Sequence, residues 1–377
     1  MLYLPYSDFI DSYEHKALGA IPLGFAQAGF NTSLIVGLMK SNKFRKNNIK
    51  IYETGNLDDR FMPNNDSSRM SILPRVMNFL NINEYKKVIR ILRQEKPHII
   101  MAYNNSTLTW LIIWRYKLYC KSKRIKIKTI LKLDNDGTDL KEMAGIRKIV
   151  LGFYYKLLSH VFDSIITESS CGYKVFSELP GVKAKLRVVP NTAFDDFLQA
   201  PHAIKRDKMI ITVSRITPVK GIDKLINSFQ QISQKYPEWN LQIVGPVSDK
   251  NYFSSIKKLV NSKGLDNRII FTGEKCRNEL IEIYGHASIY CLFSEHESSA
   301  ISRLEAIAMG LYVITTTAGC ADDVAKYGVH IMRENSPLCG AIYIEEGIKA
   351  IESGAFHPSN NILPSYKDIA LEIASLA

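Results

Sequence analysis

The sequence lacks any uninterrupted apolar run of about 18 residues, the length a helix needs to cross a bilayer, so none of it reads as a transmembrane span. Its opening, Met1-Leu2-Tyr3-Leu4-Pro5-Tyr6, lacks the basic segment and longer apolar stretch of a secretory leader. Cysteine is sparse and scattered (Cys120, Cys171, Cys276, Cys291, Cys320, Cys339) with no C-x-x-C pair, which speaks against a metal site or a disulfide framework and fits free thiols in a reducing cytoplasm. Acidic residues are also short: 37 Asp and Glu stand against 49 Lys and Arg, a net charge of +12. Such an excess suits a polyanion or a lipid surface, or reflects only a coding bias, since Lys, Ile and Asn are all abundant. No nucleic-acid recognition motif accompanies it, so nucleic acid is not an expected partner.

What is present is an ordinary globular composition, 46% hydrophobic and 23% charged, over 377 residues, enough for two domains with a core each. Strand-like and helix-like segments alternate throughout, which predicts an α/β architecture of parallel sheets.

The most informative stretch is Ser294 to Gly310, SEHESSAISRLEAIAMG, set between the apolar segments 287–293 and 311–315. It reads as strand, polar loop, helix, strand, with Ser298 or Ser299 as the helix cap and Gly310 as a left-handed stop. Ile301, Leu304 and Ala308 share the face that seats the helix on a sheet. The helix amino end, with unpaired N–H groups around Ser298, Ser299, Ala300 and Ile301 and the positive pole of the dipole, is an anion site. Glu297 stands at its mouth, and Glu305 is expected about two turns inside. Two acceptors separated by a phosphate site suit a nucleotide sugar.

Upstream, the apolar strand 209–214 leads into Arg215-Ile-Thr-Pro-Val-Lys220-Gly221 and a helix over 222–231. The Glu297 to Glu305 spacing followed by Ala306, together with this Arg215, Lys220, Gly221 segment, resembles the retaining glycosyltransferases of family 4, which have the GT-B fold. The resemblance implies two doubly wound Rossmann-like domains with parallel sheets facing an interdomain cleft. It implies that Glu297 contacts the donor hexose, that Glu305 binds the ribose, and that Arg215 and Lys220 flank the diphosphate. Val189-Pro190-Asn191 is similar to the family's interdomain crossing, with Thr192 in place of the usual glycine. The expected domains are 1–195 for the acceptor and 196–360 for the donor, with a helix over 361–377 packing back on the first. Gly245 suits a close backbone approach to the nucleotide or an ordinary turn. By resemblance, backbone groups around Glu274 and Lys275 serve the base. The family's paired-glycine loop after the first strand is reduced here to Gly19.

In the first half, the strand 97–103 ends at Asn104, where α/β sheets put ligands, although turn chemistry explains an Asn there equally well. The strand 129–133 runs into Asp134 and Asp136, where the family often has an acceptor-side histidine. These carboxylates could orient an acceptor hydroxyl or take its proton, form a plain Asp-rich turn, or bind a metal as in the GT-A enzymes. Residues 108–128 and 145–160 interleave aromatic and basic side chains, which suits an anionic membrane surface or two helices with inward aromatics and solvated lysines.

These expectations describe a cytoplasmic enzyme, peripheral at the inner face of the plasma membrane, that needs neither metal nor cofactor. It would move a hexose, with retention, from a nucleoside diphosphate sugar to a glycan or lipid-linked acceptor in surface polysaccharide assembly. A nucleotide-sugar epimerase of the same fold, or a binding protein whose catalytic half has decayed, are the alternatives.

Overall fold

The computed structural model describes residues 1–4, 16–40, 49–54, 82–103, 107–134, 137, 140, 145–201 and 206–376. They form two compact units, Met1–Asn191 with Tyr366–Ala377, and Thr192–Ser365.

Unit 1 holds a parallel sheet in the order β3-β2-β1-β4-β5-β6-β7. Its strands are β1 (Leu2–Leu4), β2 (Ser33–Val36), β3 (Lys50–Glu53), β4 (Ile99–Tyr103), β5 (Lys128–Lys132), β6 (Ser164–Thr167) and β7 (Leu186–Val188). The helices between them are α1 (Ala17–Gln27), α2 (Ile82–Glu95), α3 (Thr107–Ser122), α4 (Ile146–Val161) and α5 (Ser170–Ser177). In sequence β1 looks too brief to anchor a sheet, yet it lies between β2 and β4 with Leu2 and Tyr3 wholly buried. A three-residue strand suffices there because neighbours pair with both of its edges and both of its faces are buried. The strand order reverses at β1, so the carboxyl ends of β1 and β4 mark the switch point where such sheets take ligands.

Unit 2 holds a second parallel sheet, β10-β9-β8-β11-β12-β13. Its strands are β8 (Met209–Val213), β9 (Asn240–Val244), β10 (Ile269–Gly273), β11 (Ile289–Leu292), β12 (Tyr312–Thr316) and β13 (His330–Met332). After the short α6 (Asp195–Leu198) come α7 (Ile222–Ser233), α8 (Lys250–Ser262), α9 (Arg277–His286), α10 (Ile301–Ala308) and α11 (Pro337–Glu352). Helical periodicity fixes how α7 sits: Ile222, Leu225, Ile226, Phe229 and Ile232 form one buried stripe in the core with Trp239, Leu241 and Ile289. Asp249 caps α8 through the Tyr252 amide at 2.9 Å, and Ser336 with Pro337 starts α11.

The last helix, α12 (Tyr366–Ser375), belongs to unit 1 and buries Ile369, Ala370 and Ile373. It crosses α1 so closely that a Cβ at Gly24 would stand 2.2 Å from the Tyr366 carbonyl oxygen. Only glycine allows that approach.

Candidate functional site

The sequence-predicted donor residues gather at the carboxyl edge of the unit 2 sheet, and backbone hydrogen bonds tie the loops that carry them. Leaving β8, the chain passes Ser214 and the exposed Arg215, then turns inward at Ile216, whose amide donates to the Pro246 carbonyl at 2.9 Å. Gly245 has φ +137°, and a Cβ there would meet Ser214 O at 2.0 Å, so its glycine serves the contact between the β8 and β9 loops. A short 3₁₀ turn, Pro218–Lys220, ends in left-handed Gly221, where a Cβ would lie 2.2 Å from Phe293 O. The Glu295 amide donates to Val219 O at 2.9 Å and joins the β11 loop to this turn.

This stitching sets Lys220 Nζ 2.6 Å from Glu297 Oε1, with both side chains only 12% and 13% exposed. The same oxygen accepts from Ser294 Oγ at 2.7 Å. The two halves of the sequence pattern therefore meet in one ion pair.

The helix behind Glu297 begins later than its sequence implies. Neither Ser298 nor Ser299 caps it: the N-cap is Ala300, at φ +49°, and the first helical residue is Ile301. The first helical hydrogen bonds run from the Arg303 and Leu304 amides to Ala300 O, so the Ile301 and Ser302 amides lie ahead of them. Left-handed Ala300 turns the chain sharply, and this geometry replaces the side-chain cap. As a result Glu305 lies little more than one turn inside, not two. The buried face also differs, comprising Arg303, Leu304, Glu305 and Ala306, with Ile301 and Ala308 only half-buried. Gly310 has the expected left-handed conformation at φ +69°.

Glu305 Oε2 accepts from the Tyr284 hydroxyl at 3.1 Å, and that hydroxyl also reaches Ser302 O at 3.0 Å. Burial pushes the Glu305 carboxyl up to about 7, against the opposing pull of Tyr284 and the Arg277 charge. Arg303 is 1% exposed and donates to Ala318 O at 2.9 Å and Gly319 O at 2.7 Å, bracing the loop after β12. Sequence reasoning missed Arg303 and Tyr284; the clue was a second charged residue, Arg303, next to Leu304 in the helix seated on the sheet. Lys275 is engaged with Glu279 at 2.8 Å ahead of α9.

In unit 1, Gly19 is buried inside α1 rather than in a loop. Asn104 and Asp136 lie outside the described residues. Asp134 follows β5 and keeps an open face, while Tyr103 hydrogen-bonds to its carboxylate. Behind it, Lys132 Nζ and Glu168 Oε1 stand 2.6 Å apart, each side chain 2% exposed. This pair was also missed; the clue was a lysine within the apolar strand Lys128–Lys132. Cys120, Cys276, Cys291 and Cys339 are free thiols. Among the described residues no cluster of His, Cys, Asp and Glu could hold a metal ion, and no helix is long and apolar enough to cross a membrane.

Residues 194–346 match the family model described as glycosyl transferases group 1. An uncharacterized glycosyltransferase of Haemophilus influenzae is 31% identical over 146 residues, 39% of this chain and 39% of that one. Another uncharacterized glycosyltransferase, from Methanocaldococcus jannaschii, is 25% identical over 256 residues, 64% of this chain and 61% of its own length. The chain thus spans between about two fifths and three fifths of these relatives. Anabaena Alr3699/HepE, solved in complex with UDP, superposes with a TM-score of 0.68 over 99% of this chain and 98% of that one, at 14% identity, a likeness of fold. Within the second unit, residues 194–346 are thus similar to the glycosyl transferases group 1, and the chain shares the GT-B fold of its structural neighbours.

Proposed function

We propose that the protein is a retaining hexosyltransferase of family 4 that takes its sugar from a nucleoside diphosphate donor. The observation that carries this is the Lys220–Glu297 contact, which joins the two halves of the donor pattern beside the open end of α10. In this reading the diphosphate lies against Arg215, Lys220 and the Ile301 and Ser302 amides. As the glycosidic bond breaks, negative charge builds on the leaving phosphate oxygen, and these fixed donors stabilise it without reorganising. The reading assigns that positive charge to the protein rather than to a metal. Glu297, released from Lys220 when phosphate engages the lysine, is then available to the hexose hydroxyls. Glu305 accepts from the ribose, and backbone groups near Gly245 and Lys275 serve the base.

Asp134 receives the acceptor hydroxyl in unit 1. We assign the acceptor to a glycan or lipid-linked intermediate of surface polysaccharide assembly because unit 1 also carries an apolar and basic surface. Trp114 and Leu118 on α3 and Ile149, Val150, Phe153 and Leu157 on α4 are exposed, Ile149 by 73%. The α4 residues Ile149, Phe153 and Leu157 recur every four positions on the outward side. Beside α3 runs a groove of about 780 Å³ lined in part by Lys117, Lys121, Lys126 and Lys128. The other aromatics turn inward: Tyr116 and Tyr155 are buried in the core. An outward apolar stripe flanked by lysines fits a peripheral contact with anionic lipid at the cytoplasmic leaflet.

A panel of nucleoside diphosphate sugars, scored by thermal stabilisation and then by transfer to lipid extracts, tests the function. Stabilisation by none of them would overturn it. Donor consumption without acceptor, giving an isomerised sugar, would indicate an epimerase instead.

A further inference from the structure

Tyr284 is the buried side chain of α9, wholly enclosed, and its ring is held on two sides. Phe197 of α6 meets it edge-on, with centroids 5.6 Å apart and planes at 90°, and Tyr290 of β11 stacks against it at 6.1 Å and 29°. Such packing fixes the ring, and a fixed ring fixes its hydroxyl. That hydroxyl has one proton and two acceptors on α10: Ser302 O at 3.0 Å and Glu305 Oε2 at 3.1 Å. Tyr290, also wholly buried, reaches the same turn from β11, its hydroxyl 2.8 Å from Ser302 Oγ. The two tyrosines brace one turn of the helix, and Tyr284 is the one that hydrogen-bonds to its carboxylate.

We propose that Tyr284 is the positioning residue of the ribose site: its hydroxyl holds the Glu305 carboxylate in the orientation that selects a ribose over a deoxyribose in the nucleotide. The proposal rests on the assignment of Glu305 to the ribose, and goes beyond it by naming what fixes that carboxylate and which sugar it rejects. Glu305 is 7% exposed, and burial favours its protonated form, which is a weaker acceptor for a ribose hydroxyl. The hydrogen bond from Tyr284 acts in the opposite sense and favours the carboxylate, as does the Arg277 charge at the start of α9. It also sets the plane of the carboxylate, because one oxygen is tied to a point that the packed ring cannot leave. An acceptor held in advance discriminates sharply, since a nucleotide lacking the hydroxyl leaves it desolvated and unpaired. The same Tyr284 hydroxyl reaches Ser302 O, in the turn whose amides are assigned to the diphosphate. Ribose and diphosphate contacts are thereby referred to one rigid ring. Tyr284 does not touch the nucleotide in this account; it orients the residue that does.

Thermal stabilisation of the full chain by UDP, ADP and GDP, each against its deoxyribose counterpart, tests the idea. The wild-type protein should prefer the ribose form by about tenfold to a hundredfold in affinity, the range for a hydrogen bond to a charged group. Tyr284→Phe keeps the ring and its packing, and should cut that preference about tenfold by weakening the ribose form alone. Tyr290→Phe loosens the same turn without removing a hydrogen bond to Glu305, so it should weaken both forms alike and leave the ratio at its wild-type value. A ratio unchanged in Tyr284→Phe, or lowered as much in Tyr290→Phe, overturns the proposal. If Tyr284→Phe fails to fold because the buried carboxylate has lost its donor, Tyr284→Phe with Glu305→Gln is compared with Glu305→Gln alone. The amide oxygen then needs the same hydroxyl to hold it, so the ratio should again fall in the double variant, and equal ratios overturn the proposal. A wild-type protein that binds none of these nucleotides overturns the donor reading, and one that binds both forms equally overturns the ribose assignment of Glu305, the proposal falling with either. A wild-type preference that survives intact in Tyr284→Phe overturns the proposal alone.

Discussion

Lys220 Nζ lies 2.6 Å from Glu297 Oε1 across a separation of 77 residues, and Ser294 Oγ shares the same carboxylate oxygen. Without ligand, the lysine that would meet the phosphate is neutralised by the glutamate that would meet the sugar. Each partner spares the other an uncompensated charge in a partly closed site. A donor carrying both a diphosphate and hydroxyl groups can replace both halves of the pair at once.

Lys220→Ala should lower transfer turnover by about 10²- to 10³-fold, the cost of removing one fixed donor from a developing oxyanion. Arg215→Ala should act in the same direction. Donor affinity should fall less than turnover. Steady-state kinetics with separate donor binding by calorimetry reads the two effects, and unchanged turnover in both variants would remove the phosphate role.

Glu305 gives a stability prediction with a definite sign. Its carboxyl is raised by burial to about 7 in the folded chain, so the folded state binds more protons than the unfolded state between the ordinary carboxylate range and about pH 7. Stability therefore falls as pH rises through that window and levels off above it. Glu305→Gln, neutral at every pH, should raise the melting temperature by several degrees at pH 8 and leave it nearly unchanged at pH 4.5. It should weaken donor binding at pH 8, where the ribose loses a carboxylate acceptor. Melting curves at both pH values and one donor titration check this; equal melting shifts at both would contradict the burial argument.

Gly221→Ala should disturb the site more than its size implies. The position is left-handed, at φ +62°, and the new Cβ would stand 2.2 Å from Phe293 O, forcing the β8 and β11 loops apart. Backbone strain of order 1–3 kcal/mol is expected, together with loss of the donor-induced melting shift. The control is Gly264→Ala, also left-handed at φ +67° but with no atom within 4 Å of its Cβ, which should show the strain alone.

For the outward face of unit 1, Ile149→Ser with Phe153→Ser should reduce sedimentation with anionic vesicles severalfold, and neutral vesicles should bind weakly throughout. Replacing Lys121, Lys123 and Arg124 should lower binding chiefly at low salt, where the Debye length is long. Vesicle binding that neither set changes would leave the exposed residues without a lipid role.

The chain itself determined the alternation of strands and helices, because buried parallel strands such as 209–213 are continuously apolar and helices such as 222–233 carry one apolar stripe. It also carried the Arg215, Lys220, Glu297 and Glu305 pattern, to which the family resemblance gives the donor roles proposed above. Tertiary structure decided the rest. The three-residue β1 became central because its neighbours, not its own length, supply the pairing. The start of α10 moved to Ile301 because left-handed Ala300, held against the surrounding loops, outweighed the capping preference of Ser298 and Ser299. Lys132 and Glu168 are joined only across neighbouring strands, a buried pairing that no local stretch of sequence carries.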